Sequence, residues 1–322
     1  MKKLFIKICR LLGFEIIDQN SFTSPTLNKE LNEDLSIVNE KSIVLPLGEV
    51  KITRKIKSIL IIFRMNTELE IWDQSKNRLF EKSKIEYSVR SLKSLIKSID
   101  FCKKKHRNLN IKTIIIDDHS KEENLRRIKN IVDNNNIEIV SLNHDKFENF
   151  IKKQKSKATF SNLASLLQSF EIGKNQANDL ILFVEDDYLH FEPMLEEMVS
   201  SYQRIATQIG KDIFMCPADY PYLYMNNEKT NILIGNKRHW RTINKTLCTF
   251  MTSKTLLDQY WENFKKTCVD RHDPFEKYLN QIYVKEICVS PIKSLSIHLT
   301  NINSSYGLAP FIDYQKLWEE NK

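Results

Sequence analysis

Glycine and long apolar runs are both scarce in this sequence. Its 322 residues include only 6 glycines and 8 prolines, which excludes collagen-like chains and glycine- or proline-rich low-complexity chains. The longest purely apolar runs, such as Ile59–Phe63, contain five residues, whereas a helix needs about 20 apolar residues to cross a bilayer. The sequence therefore predicts no transmembrane helix.

Several motifs with a fixed spacing are also absent. The sequence has no GxxxxGK[ST], which excludes a P-loop enzyme, and no GxGxxG, which argues against a Rossmann dehydrogenase. No CxxC pair occurs, so we predict reduced thiols, a cytoplasmic location and no structural zinc site. The 6 cysteines are Cys9, Cys102, Cys216, Cys248, Cys268 and Cys288.

Basic residues outnumber acidic residues, 49 to 41, and give a formal net charge of +8 with a pI near 9.0. This surplus favours anionic partners such as nucleotides, lipid headgroups or nucleic acid, although a compositional bias toward lysine explains it equally well. No recognisable nucleic-acid-binding module accompanies it, so we predict no nucleic-acid partner. Apolar residues at 41% and aromatic residues at 10% exclude wholesale disorder.

The N-terminal segment has the apolar stripe of an amphipathic helix. One helical face carries Leu4, Phe5, Ile8, Leu11 and Leu12, with basic residues largely between them. Such a helix can lie on an anionic membrane surface, so residues 1–17 predict peripheral attachment at the inner membrane face; packing on its own domain or a partner is the alternative. Residues 18–50 are polar and predict a linker or loose arm. We therefore divide the chain into a helix and arm, 1–50, and a main domain, 51–322.

From residue 57 onward, short β-branched runs alternate with segments of helical periodicity. The predicted strands are 58–63, 111–120, 137–142 and 179–189, and the predicted helices are 82–105, 121–133, 160–175 and 191–208. This alternation predicts an α/β fold with a mainly parallel sheet flanked by helices. Polar residues at the carboxyl ends of such strands collect along one edge, where these sheets bind ligands.

Two acidic motifs end predicted strands. Glu185, Asp186 and Asp187 end the strand at 179–189, and three adjacent carboxylates repel one another unless a cation neutralises them. Hard divalent ions prefer such oxygen ligands, although a solvated acidic turn is the alternative. Asp117 and Asp118 follow the apolar part of the predicted strand at 111–120. They could accept hydrogen bonds from a base or ribose, but the motif taken alone is better explained as a helix cap.

Four segments follow one another in a recognisable order: ILIIFRMNTE, then a helix containing SVRSLKSLIKSI, then IKTIIIDDHS, then DLILFVEDDYLHFEP. Together they resemble family-2-type glycosyltransferases of the GT-A fold over about residues 57–200, with a looser likeness to the C-terminus. The resemblance implies a nucleotide-binding half, 57–200, and an acceptor half, 201–322. It also implies a nucleotide-sugar donor, a glycan or lipid-linked acceptor, Mn²⁺ or Mg²⁺, inversion at the anomeric carbon, and a place in surface-polysaccharide biosynthesis.

The resemblance further implies roles for individual residues. The implied nucleotide-binding residues are Arg64, Asp117, Asp118 and Asp186, and the implied metal ligands are Asp187, Glu185 and His298. An inverting transfer needs a carboxylate base near the acceptor hydroxyl, and in the resembled family it lies near the start of a later helix. In DRHDPFEKYL we predict Asp273 as this base, with Asp270 as the second choice and Glu276 nearby. As an alternative, Asp273 is suited to cap a helix over 273–283. His298 is likewise suited to a core or surface position without a metal.

The segment GNKRHWRT concentrates basic and aromatic side chains. We predict that Arg238, Trp240 and Arg241 contact the acceptor or the diphosphate, with an exposed basic loop as the alternative. Among other functions, a sugar-nucleotide pyrophosphorylase would need a glycine-rich phosphate loop after the first strand, and FRMNTELE has no glycine. A non-catalytic membrane-surface scaffold on a degenerate transferase fold stays open.

Overall fold

The structure is a computed structural model and describes residues 2–14, 16, 36–37, 39–44, 48–68, 78–133, 135, 137–225, 229–300 and 304–322. The first helix, α1, spans Lys2–Leu11. Three short strands then form a separate antiparallel sheet: β1 (Ser36–Ile37), β2 (Lys41–Val44) and β3 (Gly48–Lys51). The sequence predicted only a loose arm here, because strands of two to four residues are too short to show a periodic pattern.

Strands and helices alternate over residues 58–209, as the sequence predicted. The elements are β4 (Ser58–Met65), α2 (Lys84–Lys105), β5 (Asn110–Asp117), α3 (Glu122–Val132), β6 (Ile137–Ser141), α4 (Lys157–Gln176), β7 (Leu180–Glu185), β8 (Tyr188–His190) and α5 (Met194–Ile209). Helix α4 begins three residues before its predicted start because the Ser156 hydroxyl accepts a hydrogen bond from the Thr159 N–H at 3.1 Å. The predicted strand at 179–189 is divided into β7 and β8.

The C-terminal half is less regular. Its elements are β9 (Phe214–Met215), β10 (Ile232–Ile234), β11 (His239–Ile243), β12 (Phe250–Ser253), α6 (Lys254–Gln259), α7 (Trp261–Val269), α8 (Lys277–Tyr283), β13 (Cys288–Ile292), β14 (Ser296–His298) and α9 (Tyr314–Glu319). Helix α8 does not begin at Asp273, because the preceding residues form a turn in which the Lys277 N–H donates to the Pro274 carbonyl at 3.1 Å. The capping interpretation of Asp273 is therefore wrong.

Nine strands form one sheet in the order β10-β11-β13-β9-β12-β7-β4-β5-β6. Seven of them run in one direction, and only β11 and β12 oppose them. Strands β8 and β14 pair with each other as a separate antiparallel ribbon. The predicted α/β class, with a mainly parallel sheet flanked by helices, is confirmed.

Alternate residues of the parallel strands pack on opposite faces of the sheet. In β4, Ile59, Ile61 and Phe63 join the core that includes α2 and α5, whereas Leu60 and Ile62 join the core that includes α4 and α7. None of the five is more than 4% exposed, and burying one such side chain contributes about 1.5–3 kcal/mol. Because both faces are covered, the sequence shows a continuous apolar run here instead of an alternating one.

The chain leaves β4 and β7 toward opposite edges of the sheet. From β4 it passes through α2 to β5, which pairs with one side of β4, whereas β7 pairs with the other side and is followed by β8 and α5. Open α/β sheets bind ligands at such a divergence, outside the carboxyl ends of the strands. The fold thus brings Met65 and Glu185, which end β4 and β7, to a position suited to binding.

Candidate functional site

One large cleft opens at this carboxyl edge. Its volume is about 990 Å³, and it is lined by the ends of β4 and β7, the first turns of α2 and α4, the segment between α7 and α8, and β14. Residues predicted from the sequence that line it are Arg64, Asp118, Glu185, Asp186, Asp187, Asp270, Asp273 and His298. Asp118 and Asp187, which come from different segments of the chain, therefore share one cleft.

The alignment of the parallel strands explains why these side chains meet. In the β4–β7 ladder Arg64 is level with Glu185, and β5 ends one residue before Asp118. Asn66 follows β4 and joins the two neighbouring strand ends. Its backbone N–H donates to Asp186 Oδ2 at 3.2 Å, and its Nδ2 donates to Asp118 Oδ2 at 2.7 Å.

Each of the three adjacent carboxylates has a basic partner from another element. The ion pairs are Glu185 with Arg64 at 2.8 Å, Asp187 with His298 at 3.2 Å, and Asp186 with Lys84. From the sequence we expected that a bound cation would be needed to relieve their repulsion. The fold itself supplies three basic side chains that relieve this repulsion, so the repulsion alone does not require a bound cation.

Asp186 is enclosed by protein donors. Besides the Lys84 ammonium, it accepts hydrogen bonds from Ser88 Oγ at 2.6 Å and from the Asn66 N–H. Lys84 and Ser88 lie one turn apart at the start of α2, so their spacing was visible in the sequence although their partner was not. A ribose hydroxyl that contacts Asp186 has to share or displace these donors.

Asp187, in contrast, keeps one oxygen without a protein partner. Its Oδ2 lies 3.2 Å from His298 Nε2, but its Oδ1 is buried and has no hydrogen-bond partner among the described residues. The other imidazole nitrogen, Nδ1, donates to the Tyr306 carbonyl at 3.0 Å, which directs Nε2 toward Asp187. The Tyr188 ring stacks on this imidazole, with ring centroids 4.8 Å apart. A divalent ion would complete this arrangement of a free carboxylate oxygen beside an oriented imidazole.

Burial and charge act in opposite directions on the pKa values of these groups. Burial alone would raise the pKa of Asp187, but the charge and hydrogen bond of His298 outweigh it and hold the pKa below its ordinary value. Burial likewise works to lower the pKa of His298, and the Asp187 carboxylate raises it overall. Burial raises the pKa of Glu185 despite the charge of Arg64. The ionised form of the Asp187–His298 pair is thus favoured.

Asp118 lies at the side of the cleft formed by the ends of β5 and β6. Its Oδ1 is 2.9 Å from His144 Nε2 and 3.3 Å from His119 Nδ1. The sequence pattern singled out neither contact, although His144 also follows a strand of the parallel sheet. Asp117 does not line the cleft: it is buried, accepts a hydrogen bond from the Ser120 N–H at 3.3 Å, and has a pKa raised by burial. Its position does not support the predicted nucleotide contact.

The basic and aromatic segment 235–242 lies outside the cleft. The predicted contacts in it were Arg238, Trp240 and Arg241, none of which lines the cleft. The Trp240 indole is fully buried and donates to Ser201 Oγ at 3.0 Å, and Arg241 forms a buried ion pair with Asp219. Arg238 donates to a backbone carbonyl at 2.8 Å. These side chains are engaged in structural contacts, so the structure does not support their predicted contact with acceptor or diphosphate.

Three further acidic side chains line the cleft from the segment between α7 and α8: Asp270, Asp273 and Glu276. Asp270 accepts hydrogen bonds from Gln154 Nε2 at 3.1 Å and from the Arg271 N–H at 2.8 Å, and these bonds lower its pKa. The side chain of Asp273 is exposed and has no hydrogen-bond partner in the described part of the chain. Asp273 is therefore freer than Asp270 to accept a proton from a ligand.

Among known proteins, only solved structures of low similarity match this chain. No family model and no curated protein matches this chain. The structure of S. aureus TarS 1–349 matches at 12% identity and a TM-score of 0.42, over 72% of this chain and 57% of that chain. Its complex with UDP-GlcNAc matches at 15% identity and a TM-score of 0.41, over 82% of this chain and 64% of that chain. The chain thus spans less than two thirds of these TarS chains.

Two further solved structures match part of this chain. The galactosyltransferase LgtC, in complex with donor and acceptor sugar analogues, matches at 12% identity and a TM-score of 0.36 over 70% of each chain. UDP-glucose pyrophosphorylase complexed with UDP-glucose matches at 12% identity and a TM-score of 0.39 over 76% of this chain and 93% of that chain. Likeness at this level transfers no residue's role to this protein.

Proposed function

We propose that this chain is a glycosyltransferase, which moves a sugar from a nucleotide-diphosphate sugar to a glycan or lipid-linked acceptor in surface-polysaccharide biosynthesis. The observation that carries the proposal is the common cleft, which Asp118, Asp186 and Asp187 line together with the acidic segment at 270–276. Its volume of about 990 Å³ is at the upper end of small-molecule pockets and suits a donor together with part of an acceptor.

Basic side chains in the cleft suit a diphosphate leaving group. Arg78 and Lys84 line it together with the carboxylates. When a sugar leaves a nucleoside diphosphate, negative charge builds on the departing oxygen, and an ammonium or guanidinium group stabilises it. Lys84 pairs with Asp186 in the structure, and we propose that it exchanges this partner for a phosphate oxygen when the donor binds.

The residues present also fit a divalent ion. Asp187 through its free Oδ1 and His298 through Nε2 would hold it, and this mixed ligand set suits Mn²⁺ better than Mg²⁺. Such an ion supplies a Lewis acid that stabilises the departing diphosphate. Glu185, which was also predicted as a ligand, is held by Arg64 at 2.8 Å and by Thr249 Oγ1 at 3.4 Å. We therefore assign Glu185 to positioning Arg64 instead of to metal binding.

Asp273 is the proposed general base. Inversion needs a carboxylate that removes the proton from the acceptor hydroxyl as that oxygen attacks the anomeric carbon on the face opposite the leaving group. Asp273 lines the same cleft as Asp187 and is not held by protein donors in the described part of the chain. Asp270 is less suited, since its hydrogen bonds to Gln154 and to a backbone N–H favour the ionised form and lower its pKa.

Helix α1 supports a further part of the proposal, attachment to an anionic membrane surface at the inner face. Its apolar side chains stay exposed, including Leu4 at 64% and Leu11 at 81%. Among the described residues, no helix has the length and hydropathy to cross a membrane. A short basic amphipathic helix binds at the lipid surface by its apolar face, and its Lys and Arg side chains favour anionic headgroups. Sedimentation with phosphatidylglycerol vesicles, but not with phosphatidylcholine vesicles, is the expected result.

A binding and turnover assay tests the proposed function. The full chain is heated with UDP-, GDP- or dTDP-sugars, with and without Mn²⁺, because a ligand at 100 times its Kd stabilises the folded state by about 2.7 kcal/mol. Release of nucleoside diphosphate from the stabilising donor is then measured. Asp187→Asn is the site variant, and Asp258→Asn on α6, outside the cleft and 41% exposed, is the matched control.

The proposal expects one donor to stabilise the native and Asp258→Asn chains and to be turned over by both, with turnover lost in Asp187→Asn. If no nucleotide sugar stabilises the chain, the proposed function is wrong. If a donor binds tightly but no nucleoside diphosphate is released with any glycan or lipid acceptor, the non-catalytic scaffold is the better explanation.

A further inference from the structure

A second group of metal-ligating side chains lies where the loops after β5 and β6 meet. Asp118, His119 and His144 each offer one ligand atom, and the three atoms lie within 4.8 Å of one another. Asp118 lines the cleft, whereas neither histidine does. The residues therefore form a group that borders the cleft and has no part in the proposed transfer chemistry apart from Asp118.

We propose that Asp118, His119 and His144 bind a divalent transition-metal ion, with zinc as the preferred ion, at a site separate from Asp187 and His298. Zinc in proteins is bound at about 2.0–2.1 Å by tetrahedral ligands, which places neighbouring ligand atoms about 3.3 Å apart. Asp118 Oδ1 lies 3.3 Å from His119 Nδ1 and 2.9 Å from His144 Nε2. The third pair of ligand atoms, on the two imidazoles, lies within 4.8 Å, so an ion fits between the three atoms once the side chains close around it.

The chemistry of the ligands favours a transition metal. Two imidazole nitrogens and one carboxylate oxygen suit zinc, iron, nickel or manganese, whereas Mg²⁺ and Ca²⁺ prefer sites made of oxygen alone. His119 is 59% exposed and His144 is 21% exposed, so the group is open to solvent on one side. Three protein ligands with one open side leave a fourth position for water.

Outer contacts hold the ligands in place. Asn66 Nδ2 donates to Asp118 Oδ2 at 2.7 Å, which leaves Oδ1 directed at the two imidazoles. A partner that orients a ligand as Asn66 does is typical of metal sites and sustains their affinity. Ser161 Oγ on α4 lies 3.1 Å from His144 Nε2, the proposed ligand atom, so a bound ion would replace this contact. A bound ion would join the loops after β5 and β6 and, through Asn66, the end of β4.

Metal binding at this group can be measured without any nucleotide sugar. The metal-free full chain is titrated with Co²⁺, whose visible ligand-field absorption reports coordination by nitrogen and oxygen, and Zn²⁺ or Mg²⁺ is then added as competitor. We expect a Co²⁺ band that Zn²⁺ displaces and Mg²⁺ does not. The result is independent of the proposed function, since donor turnover and this band are separate readouts.

Four variants identify the ligands. His119→Gln and His144→Gln each remove a ligand. Loss of an outer partner alone lowers metal affinity by about 10- to 100-fold, so each variant should weaken Co²⁺ binding at this site by at least that factor. His239→Gln, an exposed histidine on β11, should leave the band unchanged. Asp187→Asn should also retain the band, which separates this site from the one at His298.

Two results would overturn the inference. One is a natively folded chain that binds no Co²⁺, and the other is a band that persists when each histidine variant is combined with Asp187→Asn, which removes the separate site at His298. If circular dichroism shows that a histidine variant has unfolded, X-ray absorption of the cobalt-loaded Asp187→Asn chain decides. Two imidazoles and at least one oxygen at the cobalt support the site, and fewer than two imidazoles contradict it.

Discussion

Two pairs of adjacent carboxylates in this molecule have opposite surroundings. Asp186 and Asp187 follow a strand and line an open cleft. Glu196 and Glu197 lie in the first turn of α5 and are only 2% and 1% exposed, and neither lines that cleft. The amino-acid sequence shows two similar acidic pairs, so the difference between them comes from the tertiary structure.

The two pairs also differ in the charge of their partners. Asp186 and Asp187 are paired with basic side chains, as described above, whereas the α5 pair accepts hydrogen bonds mainly from neutral donors. Ser201 Oγ donates to Glu197 at 2.9 Å, the Lys237 N–H donates to it at 2.9 Å, and Asn236 Nδ2 donates to Glu196 at 3.1 Å. These bonds fix the turn between β10 and β11 on α5. A ligand can exchange with partners in an open cleft, but it cannot reach a closed network.

The largest difference is expected when one carboxylate of each pair is neutralised. Asp187→Asn should lower turnover of the nucleotide sugar by at least about 100-fold, the size of effect seen when one group that stabilises developing charge is lost. Glu197→Gln makes the same chemical change in the closed pair, so it should keep turnover within about twofold. Both are measured as kcat/KM, with thermal unfolding as the check on folding. If both variants fold and lose kcat/KM equally, the proposed difference between the open and the closed carboxylate pair is wrong.

A second large effect is expected at Asp273, which lines the same cleft. Asp273→Asn should lower kcat by about 10²–10⁴-fold, as expected for loss of a general base, while donor affinity and the melting temperature stay unchanged. The melting temperature should not fall because Asp273 does not cap α8. Asp270→Asn is the control, and its kcat should fall by less. If Asp270→Asn loses kcat while Asp273→Asn does not, Asp270 is the base.

The parallel half of the fold could be predicted because its physical signals are local. Strand β4 is buried on both faces, so its apolar run is continuous, and the aspartates follow strands that share one edge. The partners of those aspartates could not be predicted, since they come from distant positions. Lys84 lies 102 residues from Asp186, and His298 lies 111 residues from Asp187. Sequence pattern identified the acids, and only the fold shows what neutralises them.

The segment around Trp240 shows why a compositional signal failed. Basic and aromatic residues together predicted a ligand-binding loop, but residues 239–243 form β11 inside the sheet. Pairing on both sides buries Trp240 completely and leaves His239 exposed, because neighbouring residues of a strand point to opposite faces. A five-residue strand with charged residues lacks the apolar alternation that would have revealed it.

A moderate effect on stability, without an effect on binding, is expected at this position. Trp240→Phe removes the indole N–H that donates to Ser201 Oγ at 3.0 Å, while this oxygen still accepts from the Asn236 N–H at 2.9 Å. Loss of one such hydrogen bond costs about 0.5–1.5 kcal/mol. We expect the free energy of unfolding in urea to fall by this amount while KM for acceptor is unchanged. His239→Gln, the exposed neighbour, should change neither. A raised KM with unchanged stability would restore the role predicted from composition.

The smallest expected effect is on the pH dependence of stability. Burial raises the pKa of Glu197, and the neighbouring Glu196 carboxylate adds to the shift, whereas hydrogen bonds from Lys237 and Ser201 oppose it. Arg204 and Arg238 also face this carboxylate, and their charges favour its ionised form. The folded chain therefore holds a proton at pH values where the unfolded chain, with an ordinary glutamate pKa of about 4.3, has released it.

Because the folded state binds more protons in that interval, the free energy of unfolding contributed by Glu197 falls as pH rises from the unfolded pKa to the folded pKa. Glu197→Gln cannot titrate, so urea unfolding should show a shallower decline of stability for this variant than for the native chain over the same interval. Any constant loss from the changed hydrogen bonds shifts the whole curve and leaves its slope unaffected. Parallel curves for the two chains would mean that Glu197 has the same pKa in the folded and unfolded chains, so that the charges of Arg204 and Arg238 and the hydrogen bonds fully offset the effect of burial.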